Sequence, residues 1–135
     1  MKVVLDSNVI IAAYATQGLC YLVFEIVIAH HSLMMSKFLM QEIDHNLKTK
    51  LKLPEANVKD IGLFLRKHSV FFKDEPVAGI YCRDKDDIKV LSLAVNSQAD
   101  VIISGDQDLL SLKKLKNIAI FSPRECWFFL RAESV

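Results

Sequence analysis

Apolar and polar positions follow two rhythms along this chain. Short apolar runs occur at residues 2–5 (KVVL), 33–35, 70–72, 101–103 and 118–121. Runs of this length read as strands, and Val101–Ile103 contains no polar residue, as expected of a strand covered on both faces. Between the runs, apolar residues recur at helical spacing. A short helix is expected over residues 8–14. Leu19, Leu22, Val23, Ile26 and Val27 mark a second over residues 18–31. Leu39, Ile43 and Leu47 form the stripe of a third, from residue 37 to about residue 50, with Ser36 as its start signal. Pro54 opens a fourth, with Val58, Ile61 and Leu65 on its apolar face. Asp84 caps a fifth that runs to about Asn96, and a short sixth covers residues 106–113. Ser122 and Pro123 supply the cap and first position of a last helix ending near Leu130.

Strands alternating with helices predict an α/β fold. The expectation is a central parallel sheet of about four or five strands, with helices on both faces and right-handed crossovers. No repeat or Gly/Ser/Pro-rich linker divides the sequence, so residues 1–135 are expected to form one domain. Such sheets bind ligands beyond the carboxyl ends of their strands. The residues following each strand are therefore the place to look for chemistry.

Composition narrows the picture. Hydrophobic residues make up 52% and charged residues 24%, which excludes a disordered chain. Seventeen Lys and Arg face sixteen Asp and Glu, a net charge of +1, which argues against nucleic-acid binding through bulk positive charge. Cys20, Cys82 and Cys126 form no CxxC pair and read as three reduced thiols. His30, His31, His45 and His68 fall in no HExxH or HxxxH frame. Asp6 interrupts any signal-peptide core. The longest oily stretch, residues 19–29, contains Glu25 and falls well short of the roughly 20 residues a membrane helix needs. A soluble cytoplasmic protein without membrane association is expected.

Carboxylates do change the picture. Asp6 follows the first strand directly, and Asp106 follows Ile103 across Ser104 and Gly105. Asp86 and Asp87 lie in the first turn of the fifth helix, and Glu42 precedes the apolar Ile43 on the third. Taken singly, each acid has an ordinary role as turn former, helix cap or partner of a helix dipole. Those roles fit Asp87 poorly, because it shares a face with Leu91 and Ala94. Burying a carboxylate there is costly unless positive charge meets it. Carboxylates gathered without cationic side chains repel one another, and a hard divalent cation such as Mg²⁺ or Mn²⁺ removes that penalty. The pattern points to metal-dependent phosphoryl chemistry.

The ordered motifs LDSNVI (5–10), FLMQEI (38–43), RDKDDIKVLSLA (83–94) and VIISGDQDLL (101–110) resemble those of the PIN-domain nucleases. The closing segment IAIFSPRECWFFL (118–130) is similar to the last strand and helix of that family, and the nearest branch is the VapC-like toxins of toxin–antitoxin pairs. The resemblance implies that Asp6, Glu42, Asp87 and Asp106 are the catalytic and metal-ligating acids, with Asp86 the near alternative to Asp87. It implies accessory roles for Asn8, which would orient Asp6 or touch substrate, for Ser104 in place of the usual Thr, and for Asp108 as an extra acid. The implied activity is hydrolysis of single-stranded RNA by a metal-activated water, with one or two Mg²⁺ or Mn²⁺ ions, leaving 5′-phosphate and 3′-hydroxyl ends. The implied partners are the RNA, a small antitoxin and a second copy of the chain.

Rival readings are a non-catalytic RNA-binding or protein-interaction module on the same fold, and a phosphoryl-transfer or receiver domain. The last fits poorly, since Asp6-Ser7-Asn8-Val9-Ile10 is no DxDxT sequence and no Lys follows Val101–Ile103 at the required place. Candidate phosphate contacts are Lys37, Lys48, Lys50 and Lys52, and Lys113, Lys114 and Lys116, each equally explicable as a solvated face. Tyr81 and Arg83 are candidates for stacking on a base. With four acids committed to metal, near-neutrality becomes compatible with a nuclease of modest, metal-dependent affinity.

Overall fold

The apolar runs all form strands in the computed structural model, which describes residues 1–133. The strands are β1 (Lys2–Leu5), β2 (Ser32–Ser36), β3 (Ser69–Phe72), β4 (Val101–Ile103), β5 (Lys114–Leu115) and β6 (Ile118–Phe121). The helices are α1 (Ser7–Ala15), α2 (Leu19–His30), α3 (Lys37–Thr49), α4 (Glu55–His68), α5 (Lys85–Asn96), α6 (Gln107–Leu110) and α7 (Pro123–Glu133). The expected one-domain span of residues 1–135 includes two that lie outside the described residues.

The sheet order is β3-β2-β1-β4-β6-β5. Five strands pair in parallel, and β5 adds a two-residue antiparallel edge against β6. This sixth strand departs from the sequence expectation, because Lys114 and Leu115 carry no strand signature. They pair because α6 stops at Leu110, earlier than the expected residue 113, and the chain turns back through left-handed residues at Lys113 (φ 62) and Lys116 (φ 55). Pro54 occupies the cap position of α4 rather than its first turn.

Right-handed crossovers outward from β1 to β3 carry α1–α4 on one face, and the return from β3 to β4 carries α5 on the other. The packing agrees. Helix α1 contacts α2 and α3, α3 contacts α4, and α2 contacts α7, whereas α5 contacts β1 and β2. The central strands are covered on both sides, so Val3, Val4 and Leu5 and all of Val101, Ile102 and Ile103 are buried. Each such side chain stabilises the fold by about 1.5–3 kcal/mol. Caps set the helix ends. Ser36 Oγ accepts from Leu39 N at 3.2 Å, and Ser122 and Glu125 exchange reciprocal bonds at 3.1 Å in a capping box.

Strand order reverses direction between β1 and β4. Connections from β1 leave toward β2, and those from β4 leave toward β6. The carboxyl ends of these two neighbours therefore open a crevice that no crossover covers. No single helix among the described residues is long and apolar enough to cross a membrane.

Candidate metal centre

Asp6 sits at the crevice because its backbone N–H continues the ladder from β1, donating to Ile103 O at 2.9 Å. Its side chain is buried at 5% exposure. Across the switch point, Ser104 Oγ donates to Asp6 Oδ2 at 2.7 Å and accepts from Asp106 N at 2.9 Å. One hydroxyl thus ties the acid after β1 to the acid after β4. Asp106 caps α6, its Oδ1 accepting from Asp108 N at 2.8 Å, which leaves Oδ2 for other partners.

Glu42 comes from α3, half-buried, and its Oε1 accepts a hydrogen bond from Ser7 Oγ. Asp87 comes from α5, 5% exposed on the stripe that continues through the fully buried Leu91 and Ala94. Asp86, by contrast, is exposed beside it in the same turn. The structure thus separates the two neighbouring acids, turning Asp87 toward Asp106 and Asp86 toward solvent.

Crowding shows in the proton affinities. Burial pushes Asp87 up to about 7, and the Asp106 charge, a hydrogen bond shared with Asp106, and the charges of Asp84 and Asp6 add to it. Burial also raises Asp6; the Ser104 hydrogen bond opposes it, while Glu42 and Asp106 push the same way. Asp6, Glu42, Asp87 and Asp106 therefore share one electrostatic neighbourhood built from four chain segments. Carboxylate oxygens of Asp87, Asp106 and Asp108 all lie within 4.8 Å of one another. A set of hard oxygen donors with one proton held near neutrality fits a divalent cation such as Mg²⁺ or Mn²⁺.

Other candidates lie at the rim. Asn8 is exposed and its Oδ1 accepts from Lys50 Nζ at 3.4 Å, whereas Asp6 accepts from Ser104 Oγ and from the Ser7 backbone N–H. Asp108 is held by Arg83, whose Nη2 donates to both carboxylate oxygens at 3.1 Å. The sequence reading missed this pair, having left the acids without a cation. It also missed Ser7, whose signal was a hydroxyl beside Asp6, and Cys82, whose Sγ donates to Asp87 Oδ2 at 3.8 Å. Tyr81 projects into solvent at 86% exposure.

Known proteins share this arrangement of chain. At 32% identity over 138 aligned positions, the chain is similar to an uncharacterized protein of Methanocaldococcus jannaschii, MJ1680, with 91% of this chain and 86% of that one covered. Its fold is similar to that in the crystal structure of VapBC2 from Rickettsia felis bound to a DNA fragment from their promoter. The TM-score is 0.64 at 15% identity, over 90% of this chain and 98% of the other. The family model of the PIN domain matches residues 2–108, a span that holds every acid of the crevice, and the chain belongs to the PIN domain family.

Proposed function

We propose that residues 1–135 form one nuclease domain that hydrolyses phosphodiester bonds in single-stranded RNA, using Mg²⁺ or Mn²⁺ held by Asp6, Asp87 and Asp106. The observation that carries this reading is the convergence of four acids at the switch point, with burial and mutual repulsion lifting Asp87 to about 7. The cation would polarise the phosphoryl group and lower the pKa of a bound water.

The side chains divide the remaining work. Ser104 fixes the spacing and rotamers of Asp6 and Asp106 by bonding both. Ser7 occupies Oε1 of Glu42, which leaves Oε2 to orient the attacking water and take its proton. Asp108 serves as the extra acid, shared with Arg83. Asn8 and Lys50 stand at the rim, where a phosphate of the strand would pass.

The fold likeness to VapBC2 supports a toxin–antitoxin setting. In that setting the chain acts in the cytoplasm as a homodimer and is neutralised by a small antitoxin. Cleavage of a mixed single-stranded RNA by wild type and by Asp6→Asn, in Mn²⁺ and in EDTA, tests the activity. Wild type with Mn²⁺ is expected to cut, and the variant to be at least about a hundredfold slower, the scale of losing a charge-stabilising group. Equal cleavage by the two proteins would remove Asp6 from the chemistry and the assignment with it.

A further inference from the structure

A cleft of about 600 Å³ lies beside the acids, between the start of α3, one side of α5 from Lys85 to Leu93 and the segment after β3. That is the size range of small-ligand sites. Its rim carries four ammonium groups from three separate stretches of chain, Lys37, Lys73, Lys85 and Lys89. Its floor is apolar, formed by Phe38, Pro76, Ile88 and Leu93. The two carboxylates at the rim, Asp74 and Glu75, leave the lysines in excess, and Asp74 is already engaged, accepting from Phe38 N at 2.9 Å. Lys89 Nζ stands 4.0 Å from the Phe38 ring centroid, holding α5 to α3 across the cleft.

Position ties this cleft to the acids. On α3, Gln41 lines the cleft and the next residue, Glu42, joins the acidic neighbourhood. On α5, Lys85 and Lys89 line it, and Asp87 between them turns to the metal centre. Lys37 and Lys73 directly follow β2 and β3, so the cleft overhangs those strand ends, while Asp6 and Ser104 follow β1 and β4. Neighbouring strands are about 5 Å apart, so the two sites are separated by a short step along one sheet edge.

We propose that this cleft binds the nucleotide next to the scissile phosphate, its base on the apolar floor and its phosphate among Lys37, Lys73, Lys85 and Lys89. The assignment rests on the ribonuclease reading. An anionic ligand with a flat apolar portion matches both walls, and continuity with the acidic edge favours a strand of RNA over an acidic peptide. Gln41 offers one acceptor and two donors to a base edge.

The test measures binding apart from cleavage. A fluorescently labelled single-stranded RNA decamer is titrated in Mg²⁺ with Asp6→Asn, which keeps the RNA whole, and with the same protein carrying Lys37→Glu and Lys89→Glu. The cleft variant is expected to bind at least about tenfold more weakly, with a shallower salt dependence. In the wild-type background the same pair is expected to raise KM with kcat nearly unchanged. Lys59→Glu with Lys67→Glu on α4, an equal change of charge, should leave binding within about twofold. If the first pair unfolds the protein, Lys73→Glu with Lys85→Glu repeats the comparison on exposed side chains.

Equal RNA binding by cleft variant and parent overturns the proposal. So do a loss no greater than that of the α4 control and, in a parallel titration with a poly-glutamate peptide, a loss of peptide binding in the cleft variant while RNA binding is retained. Failure of wild type to cut RNA would instead overturn the ribonuclease reading, and it is scored in a separate assay.

Discussion

Ser104 shows how much one hydroxyl does in this crevice. It is fully buried, donates to Asp6 and accepts from Asp106 N, so its removal leaves a buried carboxylate and a backbone donor without their partner. Ser104→Ala is expected to cost about 1–3 kcal/mol in a urea melt and to slow cleavage, whereas Ser104→Thr keeps the hydroxyl and recovers most of both. An alanine variant as stable as wild type would show that the hydroxyl does not hold the two acids. At this scale the sequence was partly readable. The i, i+4, i+7 relation of Asp87, Leu91 and Ala94 favoured Asp87 as the inward acid but left Asp86 as the near alternative, and the seating of α5 on the sheet buries the first and exposes the second. Arg83 and Asp108 are 25 positions apart and meet across a loop whose path no local pattern encodes. Ser7 and Glu42 meet through the packing of α1 on α3, which is likewise tertiary.

Helix α5 connects packing to the site. Its buried stripe of Val90, Leu91, Leu93 and Ala94 lies against β1 and β2, and the same seating carries Asp87 to the acidic crevice and Lys85 and Lys89 to the cleft. Leu91→Ala is expected to cost about 2–5 kcal/mol of stability, read by thermal or denaturant unfolding, and to loosen Asp87 with it. A cost below about 1 kcal/mol would mean that the helix is anchored elsewhere. The elements themselves were legible wherever a run was uniformly apolar or periodic. The five parallel strands and the caps at Ser36, Asp84 and Ser122 follow from such local signals. Strand β5 did not, because two residues paired by a left-handed turn leave no periodicity to read. Nor did the lysine cleft, whose walls come from α3, α5 and the segment between β3 and α5.

For the whole molecule, topology decides where charge collects. Reversal of strand order between β1 and β4 opens the crevice, and chain segments remote in sequence then place four acids in it. A net charge of +1 thereby conceals a sequestered acidic centre beside a basic cleft. The centre also links stability to pH. Asp87 holds its proton up to about pH 7 when folded and releases it near 3.8 when unfolded. The folded state thus binds the extra proton between those values, and metal-free stability falls as pH rises through that window, levelling above it. On the proposed reading a divalent cation would replace the proton and reverse the loss. Mn²⁺ titration by calorimetry at pH 6 and pH 8, on wild type and Asp87→Asn, therefore tests the metal centre most directly. Wild type is predicted to bind roughly tenfold more tightly at pH 8, releasing a proton at pH 6, and Asp87→Asn to bind weakly at both. Absence of binding by wild type, or equal binding by Asp87→Asn, would contradict the account.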